Sequence, residues 1–291
     1  MIGVMADDII VTPTGVALGA EIGGIDLGVP PGAGQLAAII AAWHSHLVLL
    51  FRGQRISDEA FLDFSRQLGT LDLAPITVTG KHYRPDLPEL AVISNVIEDG
   101  RPIGALGDSE AAWHTDMSYN DDPPMASLLY AIEVPPSGGN TGFCNMYAAY
   151  EALDEATRRR IASLHCKHDS SHNSAGETRS GFADTFARRE DIPGAVHSLV
   201  CRHPETGREV LYLGRRENAY ILELPDAECD ALLNELWSVT VAAENTWHHE
   251  WRVGDVLIWD NRCTMHRRDK FDSDSSRIMH RTQIKGDRWI A

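Results

Sequence analysis

The chain alternates between apolar runs of strand length and amphipathic stretches of helical period, with glycine and proline between them. "DIIVTPTGVALGAEIGGIDL" (8–27) breaks into short strands at its Gly and Pro residues. "GQLAAIIAAWHSH" has helical spacing at Leu36, Ile39 and Ile40 and runs into the buried strand "LVLLF" (47–51). "ISDEAFLDFSRQLG" predicts a helix capped by Ser57 and ended by Gly69, with Phe61, Phe64 and Leu68 on one face. The connection 74–110 is rich in Pro, Gly and Asp around one strand, "LAVISNV". Such a segment serves either as a lid over a site or as an ordinary surface loop.

Beyond it, "PPMASLLYAIEVPPSGGNTGFCNM" predicts strand, turn, strand, and "MYAAYEALDEATRRRIASL" helices. Residues 165–197 are polar and show no clear period. "EVLYLG" predicts a strand, and "DAECDALLNELWSVTV" a helix with Leu232, Leu233 and Leu236 inward. The end is strand and turn: "HHEWRVGDVLIWDN", "CTMHR", "RIMHRTQI". No repeat or linker divides the chain, so one domain over 1–291 is expected. Helix and strand do not alternate regularly, which disfavours a doubly wound sheet. The pattern predicts a mainly β fold with flanking helices, a sandwich or jelly roll.

Composition narrows the partners. In 291 residues, 43% are hydrophobic, enough for a sizeable core. The formal charge is −16, from 26 basic and 42 acidic residues. That argues against nucleic acid or anionic membrane as partner and leaves a small molecule. Cys144, Cys166, Cys201, Cys229 and Cys263 form no C-x-x-C, so reduced, mostly buried thiols are expected. "MIGVMADDIIVTPTG" has no basic region followed by an apolar core, and the apolar runs are too short to span a bilayer. A cytoplasmic protein, assembled as a homo-oligomer (dimer or tetramer), is the expectation.

Chemistry enters with "EAAWHTDMSY" (110–119), where His114 and Asp116 stand one residue apart. An H-x-D arises by chance in a chain of this length, so its meaning depends on partners. "DVLIWDNRCTMHRR" supplies His266 after a Trp-Asp-Asn turn. The groups His203-Pro204-Glu205 and His248-His249-Glu250 compete on paper, the first in a Pro/Gly turn it would cap, the second among aromatics on a strand beside a turn, where surface packing is expected. Trp113 and Trp259 are expected to pack, "RRDK" (267–270) to be a solvated basic turn, and His280 to be structural. Alternation in "RIMHRTQI" puts Arg277, Met279, Arg281 and Gln283 on one strand face. A buried Arg is costly unless it meets an anion, which suggests a bound carboxylate. Two histidines and a carboxylate suit Fe(II) with three open positions, but also Zn²⁺ in a hydrolase, or a cupin-like protein that binds without turnover.

The blocks "GVALGAEIGGIDL", "LVLLFRGQRISDEAFLDFSRQLG", "WHTDMSY…PP", "PPSGGNTGFCNM", "WDNRCTMHR" and "RIMHRTQIKGD" resemble, in order, the taurine / 2,4-dichlorophenoxyacetate dioxygenase family of Fe(II)- and 2-oxoglutarate-dependent oxygenases. The resemblance covers nearly the whole chain. It implies a double-stranded β-helix (jelly roll, cupin-like), with iron on His114, Asp116 and His266. It implies Thr141 and Arg281 at the distal carboxylate of 2-oxoglutarate, with Arg277 near the cosubstrate or substrate. It further implies O₂ consumption, release of succinate and CO₂, and hydroxylation of an unactivated carbon. A hydroxyl placed beside O, N or S would make the product collapse. Halogenating relatives lack the carboxylate ligand, so the intact Asp116 implies oxygen insertion. "GTLDLAPITVT" lacks the histidines of taurine-oxidising relatives, whereas "LAVISNVIEDGRPIG" looks like the aryloxyalkanoate branch. A small anionic substrate is therefore expected, with Asn95, Ile103, Arg215 and Arg216 as its candidate contacts.

Overall fold

A computed structural model describes residues 9–75, 82, 84–108, 111–179, 181–183 and 185–286. Two sheets carry the architecture. The large one has eight strands in the order Ile10–Pro13, Ala20–Gly23, Val48–Phe51, Val256–Asp260, Ala126–Glu133, Ile278–Ile284, Ala91–Ser94, Ala105–Leu106. The small one orders Thr246–His249, Thr141–Asn145, Thr264–Arg268 and Ala111–His114. All pairs are antiparallel except Ala20–Gly23 with Val48–Phe51 and Ala91–Ser94 with Ala105–Leu106. This is the double-stranded β-helix.

The apolar runs are explained by burial on both sheet faces, which removes the need for a polar alternate position. Leu49, Phe51, Leu128, Tyr130, Val256 and Ile258 point to one side. There they meet Ile39 and Trp43 of helix Ala33–His46 and Phe61, Leu62 and Phe64 of helix Asp58–Leu68. Ser57 caps the latter by accepting from Ala60 N at 3.2 Å. Their strand neighbours Val48, Leu50, Leu129, Leu257 and Trp259 point the other way, toward Phe143 and Met265 of the small sheet. Phe143 and Trp259 meet between the sheets with ring centroids 5.6 Å apart.

The same alternation sorts the last strand. Ile284 faces the helices, and Thr282 shares a hydrogen bond of 2.8 Å with Ser65 of helix Asp58–Leu68. His280 reaches Asp58 of that helix at 2.6 Å, the structural role expected of it. Met279, Arg281 and Gln283 face the small sheet. Helices Met146–Glu151, Glu155–Ile161 and Asp226–Thr240 extend the inter-sheet core, the last burying Leu232, Leu233 and Leu236. All five cysteines are buried and free. Among the described residues no helix is long and apolar enough to cross a membrane.

The connection 74–110 is not uniform. Ala91–Ser94 is a full strand of the large sheet, paired with Ile278–Ile284, whereas Ile97–Glu98 and Arg101–Pro102 form an exposed hairpin. Residues 76–81, 83, 109 and 110, which also fall within the expected lid, lie outside the described residues.

Phe143 joins the two sheets and is also the cross-strand partner of His266. Truncation to Ala should therefore destabilise the fold by about 3–5 kcal/mol, the usual loss for a fully buried Phe. Urea unfolding of Phe143→Ala checks this; a loss below about 1 kcal/mol would mean the sheets are joined elsewhere.

Candidate metal centre and anion cavity

Between the sheets lies a cavity of about 330 Å³. Strand Ala111–His114 brings His114 to its wall, and Asp116 follows in the turn. His266 lies on the neighbouring strand as the direct cross-strand partner of His114, the two rings 4.2 Å apart. Asp116 Oδ1 stands 3.6 Å from His114 Nε2 and 3.8 Å from His266 Nε2. The three ligand atoms lie within 4.8 Å of one another.

The donor set fits a metal ion. His114 Nδ1 donates to the Ala112 carbonyl at 2.7 Å, which leaves its Nε2 as an acceptor facing the others. Burial, then the neighbouring His114, pushes His266 down to about 3, so its ring stays neutral. Burial alone would raise Asp116, but His266, Arg281 and His114 outweigh it and hold the carboxyl well below its usual range. Three acceptors facing one point repel one another unless a cation stands there. Two imidazoles and one carboxylate leave room for further ligands, as non-haem Fe(II) requires.

A directed chain of hydrogen bonds fixes Asp116. Ser127 Oγ donates to its Oδ2 at 2.7 Å. Ser127 in turn accepts from Asn261 Nδ2 at 3.0 Å and Gln283 Nε2 at 3.3 Å. Asn261 Oδ1 is held by Trp259 Nε1 at 2.8 Å. With both amides donating to it, the Ser127 hydroxyl can only give its proton to Asp116. His266 Nδ1 has no hydrogen-bond partner among the described residues, and the Trp259 ring 4.8 Å away sets its plane by packing.

Arginines line the rest. Arg277 is 2% exposed, makes no ion pair among the described residues, and is pushed down to about 9 by burial and then Arg268. Its Nε is buried without a partner among the described residues, and it passes so close to Gly139 that a Cβ there would be 3.3 Å from it. Thr141 accepts from Trp251 Nε1 at 2.9 Å, so its own proton is free for the cavity. Arg281 Nη1 lies 3.6 Å from Asp116 Oδ1, at the metal end.

The four substrate candidates separate. Arg215 lines the cavity. Arg216 points away to Asp230 at 3.0 Å and Asn234 at 3.1 Å, drawn by its partners on helix Asp226–Thr240. Asn95 is a backbone support: it accepts from Arg277 N at 3.0 Å and donates to Ser275 O at 2.9 Å. Ile103 is half-buried, its N–H bonded to Val96 O at 3.1 Å, and it does not line the cavity. The expected solvated turn 267–270 is also corrected: Arg268, on strand Thr264–Arg268, is 7% exposed and lines the cavity.

The competing pairs dissolve. His203 bonds Asp260 at 2.9 Å, whose carboxylate is already held by Arg262, and also receives Thr206 N at 3.3 Å as the turn cap expected of it. In the second group His249 is not a surface residue as expected but is buried against Asp255 at 3.1 Å. The sequence reading missed Ser127, Asn261 and Gln283. An isolated serine in the apolar run "MASLLY" was the available signal.

Two histidines and one carboxylate thus converge, in a set that could hold a metal ion, inside a jelly roll. The family model "Taurine catabolism dioxygenase TauD, TfdA family" matches residues 11–283, and the chain belongs to that family of 2-oxoglutarate-dependent dioxygenases. Pentalenolactone F synthase of Streptomyces arenae is 34% identical over 92% of this chain and 93% of its own. The 2,4-dichlorophenoxyacetate dioxygenase of Cupriavidus pinatubonensis is 33% identical over 96% and 98%. The solved structure of AAD-2 with Mn(II) and N-oxalylglycine superposes with a TM-score of 0.80 at 30% identity, over 98% of this chain and 99% of that one.

Ser127→Ala should weaken metal binding about 10- to 100-fold, the usual effect of removing a partner of a ligand. Titration of metal-free protein with Mn(II) measures this. Unchanged affinity would show that Asp116 is oriented without Ser127.

Proposed function

We propose that the protein hydroxylates a carbon of a small organic acid, with 2-oxoglutarate as cosubstrate and Fe(II) on His114, Asp116 and His266. The observation that carries this is the coincidence, in one cavity, of converging metal-type acceptors and a buried arginine, Arg277, with no carboxylate partner among the described residues. A zinc hydrolase or a metal-binding cupin has no use for such an arginine. When bound, Fe(II) with 2-oxoglutarate activates O₂, so that one oxygen atom reaches the substrate and succinate and CO₂ leave. The protein's own residues bind, orient and keep water out.

Arg277 and Thr141 are the better anchor for the distal carboxylate, in place of Arg281. A diacid held at the metal by one end presents its other end away from the triad. Arg281 sits beside Asp116 and is partly neutralised by it. Arg277, four residues earlier, is about 13 Å away along the strand, beside the charge of Arg268, the cross-strand partner of Thr141. Its planar fork would take the carboxylate bidentately, with the Thr141 hydroxyl as a further donor. Arg281 then stays at the reacting end.

Support for an acid substrate comes from the cationic lining and from the dioxygenase that carries 2,4-dichlorophenoxyacetate in its name. If the hydroxyl enters beside an ether oxygen, the hemiacetal product falls apart into a carbonyl compound and an alcohol or phenol.

Removing one partner of a buried charged pair costs on the order of 2–5 kcal/mol, so Arg277→Ala should weaken 2-oxoglutarate about 30-fold or more. The midpoint is read anaerobically from the visible charge-transfer band of Fe(II) with 2-oxoglutarate, which zinc cannot produce. Arg281→Ala should shift it less. The reverse order of effects would return the anchor to Arg281, and no band in wild type would sink the whole assignment. His266→Ala should abolish succinate release and metal retention while leaving the circular dichroism unchanged.

A further inference from the structure

The acid substrate proposed above needs a counter-charge of its own, distinct from the arginines that hold the cosubstrate. Arg215 and Arg179 line the same cavity, and neither makes an ion pair among the described residues. In a chain with 42 acidic residues to 26 basic ones, a half-buried arginine ordinarily finds a carboxylate. Its neighbour Arg216 does, as do Arg52, Arg189 and Arg262. Arg215 instead spends Nη1 on the His172 carbonyl at 2.7 Å, and its Nε is buried with no partner among the described residues. Arg179 lies over the Tyr119 ring at 4.6 Å and bonds the Ser170 carbonyl at 3.2 Å. Those acceptors are neutral, and among the described residues no carboxylate comes within ion-pair distance of either guanidinium; Asp169 and Glu217 act on Arg215 only from farther off.

The fold fixes where this charge stands. Phe143, His266 and His114 form one cross-strand row, and Arg215 continues it at the free edge of the small sheet through an isolated bridge to His114. Arg215 is therefore three strand spacings, about 14 Å, from the strand that carries Thr141. The triad lies between them. Gly214 makes this placement possible: with φ +68° its position admits the ring of His168, and a Cβ there would come within 1.9 Å of His168 Nδ1. An anion at Arg215 and the distal carboxylate at Arg277 and Thr141 would occupy opposite ends of the cavity.

We infer that Arg215, with Arg179 beside it, forms a second anion site that binds the carboxylate of the primary substrate, across the triad from the cosubstrate anchor. The carbon to be oxidised then lies between that carboxylate and the metal. Arg215 is the specificity-determining residue for an acid over its neutral analogue. This rests on the assignment of Arg277 to 2-oxoglutarate.

The test is equilibrium dialysis of phenoxyacetate and of uncharged phenoxyacetamide against anaerobic protein loaded with Fe(II) and 2-oxoglutarate. Wild type should bind phenoxyacetate in preference to the amide. Arg215→Gln should lose about 10- to 100-fold for the acid, the scale of a charge-assisted hydrogen bond, and nothing for the amide. Arg215→Lys should recover part of the loss, because a point charge replaces the fork incompletely. The 2-oxoglutarate midpoint of each variant, read from the charge-transfer band, should stay within threefold of wild type. Equal binding of acid and amide by wild type, or undiminished acid binding by Arg215→Gln, overturns the proposal. A large shift in the 2-oxoglutarate midpoint of Arg215→Gln makes Arg215 a cosubstrate contact and overturns it too. Failure of the Arg277 assignment reads out separately, as an unshifted midpoint in Arg277→Ala.

Discussion

Three acceptor atoms converge at one point in this protein, the Nε2 atoms of His114 and His266 and Oδ1 of Asp116, and an arrangement so repulsive must be enforced from outside. The enforcement comes from the sheets. His114 and His266 are held side by side by strand register, so their separation follows from the ladder and not from rotamer choice. Asp116 is held from the other sheet: Ser127 lies between Trp259 and Gln283 in one cross-strand row, and that row meets the carboxylate. The site depends on two sheets facing each other at a fixed distance. Phe143 and Trp259, packed between them, set that distance beside the site itself.

A second constraint is electrostatic. The chain as a whole is strongly acidic, yet arginine lines its central cavity. Most arginines elsewhere are matched to carboxylates on the surface, where each such pair contributes little. Inside, desolvation makes an unmatched guanidinium expensive, and burial drives Arg277 down to about 9. An anion that fits can recover that cost and a neutral molecule cannot, which is the physical basis of the function proposed. Relatives of nearly equal identity carry different names, a pentalenolactone F synthase beside a 2,4-dichlorophenoxyacetate dioxygenase.

Much of this was legible along the chain, because it depends on local pattern. Apolar runs of strand length marked Val48–Phe51, Ala126–Glu133 and Val256–Asp260, and amphipathic spacing marked the helices Asp58–Leu68 and Asp226–Thr240. His114, Asp116 and His266 stood out because their motifs combine unusual residue types at fixed spacing. Arg277 and Arg281 fell on one strand face by simple alternation.

What alternation could not decide is which of two residues on the same face stands nearer Asp116. That distance depends on the turn that places Asp116 against Arg281, a contact made across 165 positions of chain. The same limit separates Arg215 from Arg216 and makes Asn95 a support for Arg277's backbone, since side-chain direction at a turn follows from long-range packing. Arg268 looked like part of a basic surface turn because its neighbours are polar, but its strand lies inside the small sheet and carries it into the cavity. Ser127 was invisible because a lone serine in an apolar strand gains its meaning from Asp116, Asn261 and Gln283, which only the closing of the two sheets brings to it. Sequence by itself determined the elements and the residue types that chemistry needs. Tertiary structure alone decided which of them face one another, because burial, register and distance are properties of pairs that the chain keeps far apart.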